Sequence, residues 1–346
     1  MRNGNIVIIG GHEVKSSLAG REAEVIDAVR WAYLAHAKDR TVLPHSTFLR
    51  FPDQPQNRII ALAGFLGDGF DVAGIKWIAS FPDNVKANID RASAVLVLNS
   101  TKTGRPEAII EGSIISAQRT AASAALAASV LHVGAKVTHA AVIGCGVINF
   151  EIVKFLKVVY PTLAQLTVFD VDRGRAEGFA ERCTVLCPAM KTTVASGTEQ
   201  VLGSAPLISI ATTALEPHIP DLGPCAAGTT ILHISLRDLT PATILRADNV
   251  VDDPDHVCRA STSVHLAEQT LGHRRFIRCT LADVLMGLAP PRKNENDIVV
   301  FNPFGLAILD LAVGSLVRRL CAETDRGMVL TSFFGEPRAE FELSHR

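Results

Sequence analysis

In "EAEVIDAVRWAYLAHAK" (22–38), Val25, Ile26, Val29, Ala32 and Tyr33 recur at helical spacing and predict a helix with one apolar face. "RIIALAGFL" (58–66), "VAGIKWIAS" (72–80) and "ASAVLVLNS" (92–100) are rich in branched apolar residues and bounded by Gly, Pro, Asp and Asn, so they predict strands. "TKTGRPEA" (101–108) reads as a turn. The first region is thus expected to hold a helix and a mostly antiparallel sheet. From residue 109 to 132 small residues dominate without strand breakers, which predicts one long helix or two abutting ones.

A different rhythm follows. Strand candidates at 138–143, 166–170, 191–195, 206–211, 229–234 and 249–252, several of them short apolar runs, alternate with helical or irregular segments, and "DIVVF" (297–301) offers another strand. Such alternation predicts a Rossmann-type doubly wound parallel sheet covered on both faces. "GLAILDLAVGSLVRRLCAE" (305–323) is strongly periodic and is expected to return to the first domain. The predicted fold is α/β. A discontinuous α+β substrate and dimerisation domain (1–122 and 304–346) accompanies a dinucleotide-binding domain (123–303).

Composition narrows the function classes. The 346 residues are 48% hydrophobic and 20% charged, with a net charge of −1, so no electrostatic footprint for nucleic acid exists. No apolar run reaches the roughly 18 residues of a membrane span, and the N-terminus lacks a secretory apolar core. The seven cysteines form no framework; Cys183 and Cys187 lie closest, without further ligands for a metal. The expectation is a cytoplasmic protein with reduced thiols and no metal, binding neither membrane nor nucleic acid.

Strand "AAVIG" runs into Gly144-Cys145-Gly146, and "VINFEIVKFLKVVY" follows at helical spacing. Gly144 permits a tight turn and Gly146 a close approach of pyrophosphate. Val147 and Ile148 open a helix whose N-terminus favours phosphate. Asn149 stands where the fingerprint has its third glycine, which serves helix–strand packing rather than phosphate contact. Asp170 ends the next strand, near the spacing at which a carboxylate meets the adenosine ribose. A carboxylate there disfavours a 2′-phosphate, so NAD is expected over NADP, with nearby Arg173 moderating the preference. The plain alternative is a strand–helix turn that needs glycine.

"SIISAQRTAA" (113–122), "VIGCGVI" (142–148), "HISLRD" (233–238) and "FNPFGLAILDLA" (301–312) resemble the ornithine cyclodeaminase/mu-crystallin family. "RIIALAG", "GIKWIAS", "DRASAVLVLN" and "FNPFG" resemble its branch that makes 2,3-diaminopropionate, the N-(2-amino-2-carboxyethyl)-L-glutamate dehydrogenases of siderophore and peptide-antibiotic pathways. The resemblance runs over roughly residues 20–335. It implies NAD-dependent oxidation of the glutamyl Cα–N bond, then hydrolysis to 2-oxoglutarate and L-2,3-diaminopropionate. It also implies a homodimer built through the non-nucleotide domain. A cysteine-synthase-like pyridoxal-phosphate enzyme would supply the conjugate.

The resemblance gives roles to residues that composition leaves ambiguous. Arg119 is by default a helix-surface arginine; the family has a carboxylate clamp there, with Thr120 on the cofactor phosphates. Lys76 interrupts an apolar strand. Alternation puts Ile75 and Trp77 inward and Lys76 outward with Ile78, whose apolar side chain argues against a plain solvent face. The family places a catalytic lysine at this position. Arg50 and Arg91 are further candidate carboxylate clamps. Asp238 matches a general acid/base; otherwise it is a helix N-cap, a task Thr240 would do equally well. Thr212 is expected to line the nicotinamide ribose and Asn302 to bond the nicotinamide amide, with Ser235 and Gly305 also in contact with the cofactor. Asp310 reads as an ordinary helical charge. The loop "SLRDLTP" lacks the glycines and the lysine of the cyclodeaminase pattern, which favours oxidation with hydrolysis over ring closure. Ornithine or lysine cyclodeamination, alanine-dehydrogenase or imine-reductase activity, and non-catalytic nucleotide binding remain the alternatives.

Overall fold

A computed structural model describes residues 4–134 and 136–334. Residues 335–346, expected in the first domain, lie outside the described residues. The chain forms two compact units: one joins Asp39–Ser116 to the segments up to and including Arg21 and from Ala307 on, and the other joins Glu22–Lys38 to Ala117–Leu306. The helix Glu22–Ala37 therefore groups with the second unit, where Tyr33 shares a 2.7 Å hydroxyl–hydroxyl hydrogen bond with Ser123.

The first unit is built on β1 (Ile6–Ile9), β2 (Thr41–Val42), β3 (Thr47–Phe51), β4 (Gln54–Leu66), β5 (Val72–Ser80), β6 (Ala92–Ser100) and β7 (Pro106–Glu111). A last strand, Met328–Leu330, completes a sheet in the order Met328–Leu330, β1, β7, β6, β5, β4, β2, with β3 also on β4. The pairings from β3 through β7 are antiparallel as expected, whereas β1 runs parallel to β7. The helix Ala307–Glu323 lies on one face of this sheet, so closely that a Cβ on Gly314 would meet Leu96 Cδ2 at 2.2 Å. Residues 109–111 are strand rather than helix. The helix Ser113–Leu131 begins after them because the Glu111 carboxylate accepts from Ser113 N at 2.7 Å and Ile114 N at 3.1 Å.

The second unit carries β8 (His139–Ile143), β9 (Gln165–Phe169), β10 (Lys191–Val194), β11 (Leu207–Ile210), β12 (Thr230–His233), β13 (Asp248–Val251), β14 (Ile277–Thr280) and β15 (Val299–Asn302). They pair all-parallel in the order β10-β9-β8-β11-β12-β15-β13-β14. This is the doubly wound sheet the alternation predicts, with order reversing between β8 and β11, where such sheets bind ligands. The helix Ser113–Leu131 does have the length and mean hydropathy (1.2) of a membrane span, a correction to the expectation above. However, 67% of that window is packed inside the protein, as in a core helix.

Candidate functional site

In the first unit the sequence expectation for β5 is reversed. Lys76 faces inward, 2% exposed, between Leu62 and Leu96 on the neighbouring strands, while Trp77 is 42% exposed. An inward lysine needs a compensating charge, and the overlying helix provides it. Lys76 Nζ lies 2.7 Å from Asp310 Oδ2, and donates to Ser116 Oγ at 3.2 Å. Asp310 is wholly buried and is no ordinary surface charge.

The same sheet face carries a row of arginines further along the strands. Arg50, Arg58 and Ser80 stand directly opposite one another across β3, β4 and β5, and Arg91 Nη1 donates to Ser80 Oγ at 3.0 Å. Lys76 and Ser80 are four residues apart on one strand and share that face. Arg50 is exposed and lies over the Phe48 ring at 5.5 Å; Arg58 and Arg91 are half-buried. Arg58 was missed in the sequence, although it heads the strand motif "RIIALAG". Its significance comes from cross-strand register, which periodicity does not give.

In the second unit the glycine turn has the geometry a dinucleotide needs. Gly144 has φ +91°, and a Cβ there would lie 2.3 Å from Ala211 O on the adjacent β11 segment. Gly146 opens the helix Val147–Val159 without a side-chain cap; a Cβ on it would meet nothing within 4 Å. Val147 is exposed and Ile148 half-buried beside it. An open, uncapped helix N-terminus under a missing Cβ fits a pyrophosphate.

Asp170 Oδ2 accepts from Cys145 N at 2.8 Å and Oδ1 from Asp172 N at 3.0 Å. A carboxylate has about four acceptor sites, so this anchoring leaves capacity for ribose hydroxyls. The nearby cation is Arg175, whose Nη1 is 3.9 Å from Asp170; Arg173 instead pairs with Glu177 on the surface. Asn149 is wholly buried. Its Nδ2 donates to Ile143 O (2.9 Å) and Gly144 O (2.7 Å), and its Oδ1 accepts from Ser209 Oγ (2.7 Å). It thus ties the turn to β11 by hydrogen bonds where the usual glycine permits contact.

Arg119 and Gly305 meet as a pair. Gly305 has φ +92°, and a Cβ on it would lie 2.6 Å from Arg119 Nη1. Asp252 fixes this loop: Oδ2 accepts from Gly305 N at 2.7 Å, and Oδ1 from Phe304 N and Asp253 N, each at 2.9 Å. Burial pushes the Asp252 carboxyl up to about 6 despite those bonds. Thr120 is half-buried on the same helix.

Asp238 is wholly buried after β12. Thr212 Oγ1 and Ser235 Oγ both donate to its carboxylate through short hydrogen bonds, and His233 Nε2 lies 3.3 Å from Oδ2. Burial raises its pKa, but the contacts of His233, Ser235 and Thr212 outweigh it and hold the group below the usual carboxylate range. Thr240, not Asp238, caps the helix Pro241–Arg246. Asn302 departs from its expected contact with nicotinamide. It has no exposure, its Oδ1 accepts from His233 Nδ1 at 2.8 Å, and its Nδ2 donates to Asn249 Oδ1 and Val300 O, each at 3.2 Å. Thr212 and Ser235 likewise serve Asp238. Among the described residues no cluster of His, Cys, Asp or Glu has a metal-holding arrangement.

The chain is similar to several known proteins. N-((2S)-2-amino-2-carboxyethyl)-L-glutamate dehydrogenase of Staphylococcus aureus (strain NCTC 8325 / PS 47) is 26% identical over 340 residues, covering 96% of this chain and all of that protein. The Thermococcus litoralis Δ1-pyrroline-2-carboxylate reductase in complex with NADH and L-proline superposes with a TM-score of 0.84 at 24% identity, over 93% of this chain and 99% of that one. An archaeal alanine dehydrogenase dimer with bound NAD gives 0.83 at 24% identity, over 94% and 99%. These two structures share the fold. The profile of the ornithine cyclodeaminase/mu-crystallin family matches residues 14–325, and the chain belongs to that family.

Proposed function

We propose that this chain is an NAD-dependent dehydrogenase that oxidises the glutamyl Cα–N bond of N-(2-amino-2-carboxyethyl)-L-glutamate, giving 2-oxoglutarate and L-2,3-diaminopropionate after hydrolysis. The observation that carries this reading is the row Arg50–Arg58–Ser80–Arg91 on the face that holds Lys76. Three guanidiniums in one row suit a substrate with several carboxylates, each able to take a bidentate fork. A substrate with a single carboxylate, such as alanine or a cyclic imino acid, engages at most one such fork. The similarity to the staphylococcal dehydrogenase over its whole length points the same way.

NAD, when bound, accepts the hydride. Gly144, Gly146, Val147 and Ile148 would hold its pyrophosphate, Thr120 would touch the phosphates, and Asp170 would take the ribose. Arg119 grips a substrate carboxylate, backed by Gly305, and Lys76 stands by the reacting carbon with Asp310 balancing its charge. Asp238 takes a proton from the substrate nitrogen or from water adding to the substrate imine. The proposed setting is a cytoplasmic homodimer fed by a cysteine-synthase-like enzyme. The test follows NADH absorbance with the conjugate, ornithine and alanine in parallel. Net NADH with the conjugate alone is expected; proline from ornithine without net NADH overturns the reading.

A further inference from the structure

A buried base cannot exchange its proton with water unaided. Oxidation and hydrolysis of a secondary ammonium release one proton per turnover. The substrate C–H goes to NAD as hydride, and water supplies the carbonyl oxygen. The amine leaves as an ammonium, and one proton remains for Asp238. This side chain has no exposure. Two histidines face its carboxylate, and their positions differ. His233 is also unexposed, and both ring nitrogens are committed: an amide oxygen only accepts, so Nδ1 carries the hydrogen toward Asn302 Oδ1 at 2.8 Å. Nε2 accepts from Asp238 N at 3.2 Å. His233 is therefore held in one tautomer with no route to water.

His218 lies on the other side, its side chain 43% exposed, with Nε2 3.9 Å from Asp238 Oδ1. Its placement is set by the backbone. His218 N and Ile219 N both donate to Asp238 O, at 2.9 and 2.8 Å, and Thr240 N donates back to Ile219 O at 3.1 Å. Arg237 Nη2 donates to Ala260 O at 2.8 Å. We infer that His218 is a positioning residue that relays the proton from Asp238 to solvent, while His233 holds the Asp238 backbone N–H and Thr212 and Ser235 hold the carboxylate. Imidazole is the side chain suited to this at neutral pH. A small rotation of the half-exposed ring, or one bridging water, closes the gap.

The inference rests on Asp238 as acid/base. It is tested with His218→Gln, a half-exposed change that does not challenge folding, and with Asp238→Asn. In weak buffer at neutral pH, kcat of His218→Gln is expected to fall at least roughly tenfold with KM values near wild type. Added imidazole restores it in a concentration-dependent way. Wild-type kcat without rescue, or a loss that imidazole never repairs, overturns the relay. If Asp238→Asn keeps full turnover, the acid/base reading fails independently.

Discussion

Removing one member of the Lys76–Asp310 pair separates its electrostatics from its chemistry. At 2.7 Å and an effective dielectric of ~20, the two charges attract by about 6 kcal/mol. Desolvation costs several kcal/mol per ion, so the intact pair contributes little net stability. A lone buried charge is another matter. Lys76→Met strands the Asp310 carboxylate, and Asp310→Leu strands the ammonium; each is expected to cost roughly 3–5 kcal/mol. The double variant Lys76→Met/Asp310→Leu leaves no buried charge and is expected to recover most of that loss. The assay is urea unfolding followed by circular dichroism, beside NADH production from the conjugate. The expected pattern is two weakened single variants and one stable double variant, all three without turnover. A Lys76→Met protein within about 1 kcal/mol of wild type would refute the charge-compensation argument. Turnover in the stable double variant would refute the catalytic role of Lys76.

The remaining predictions concern the second unit. Gly146→Ala is expected to keep its stability within about 1 kcal/mol, since a Cβ there meets nothing, yet to lose at least about tenfold in NADH affinity by fluorescence titration; unchanged affinity counts against the pyrophosphate site. Gly305→Ala forces a Cβ into Arg119 Nη1 and an alanine into positive φ, at a cost of about 1–2 kcal/mol. Its expected readout is a substrate KM raised roughly tenfold, and an unchanged KM removes Arg119 from substrate binding. Asp252 holds its proton up to about 6 when folded but releases it near 3.8 when unfolded, so the neutral form favours folding at low pH. That contribution, about 3 kcal/mol, is complete below about pH 4 and lost as pH rises through about 6. Wild-type stability relative to Asp252→Asn should fall across that window in urea unfolding, and a flat difference contradicts the shift.

What the sequence revealed depended on whether the information was local. The alternation of β8–β13 and β15 with helical segments was legible because several of these strands are continuous apolar runs, as a parallel sheet buried on both faces needs. β14, with Arg278 and Cys279 within four residues, gave no such run. Gly144, Gly146 and Asp170 were legible as a spaced motif. The partner of Lys76 was not, because a helix more than two hundred residues later supplies Asp310. Nor were Arg58 and His218, whose meaning depends on a cross-strand register and on a backbone bridge to Leu239.

Asn149 shows the same limit from the opposite side. As a missing glycine it reads as a defect in packing. In the fold its amide donates to the carbonyls of Ile143 and Gly144 and accepts from Ser209, so it grips a turn in which Ala211 O passes 2.3 Å from where a Cβ on residue 144 would be, an approach that only glycine permits. The turn is thus fixed twice, by close backbone approach on one side and by a buried amide on the other. A glycine turn held this way needs no third glycine, because the shape that the glycine would allow is already imposed by hydrogen bonds.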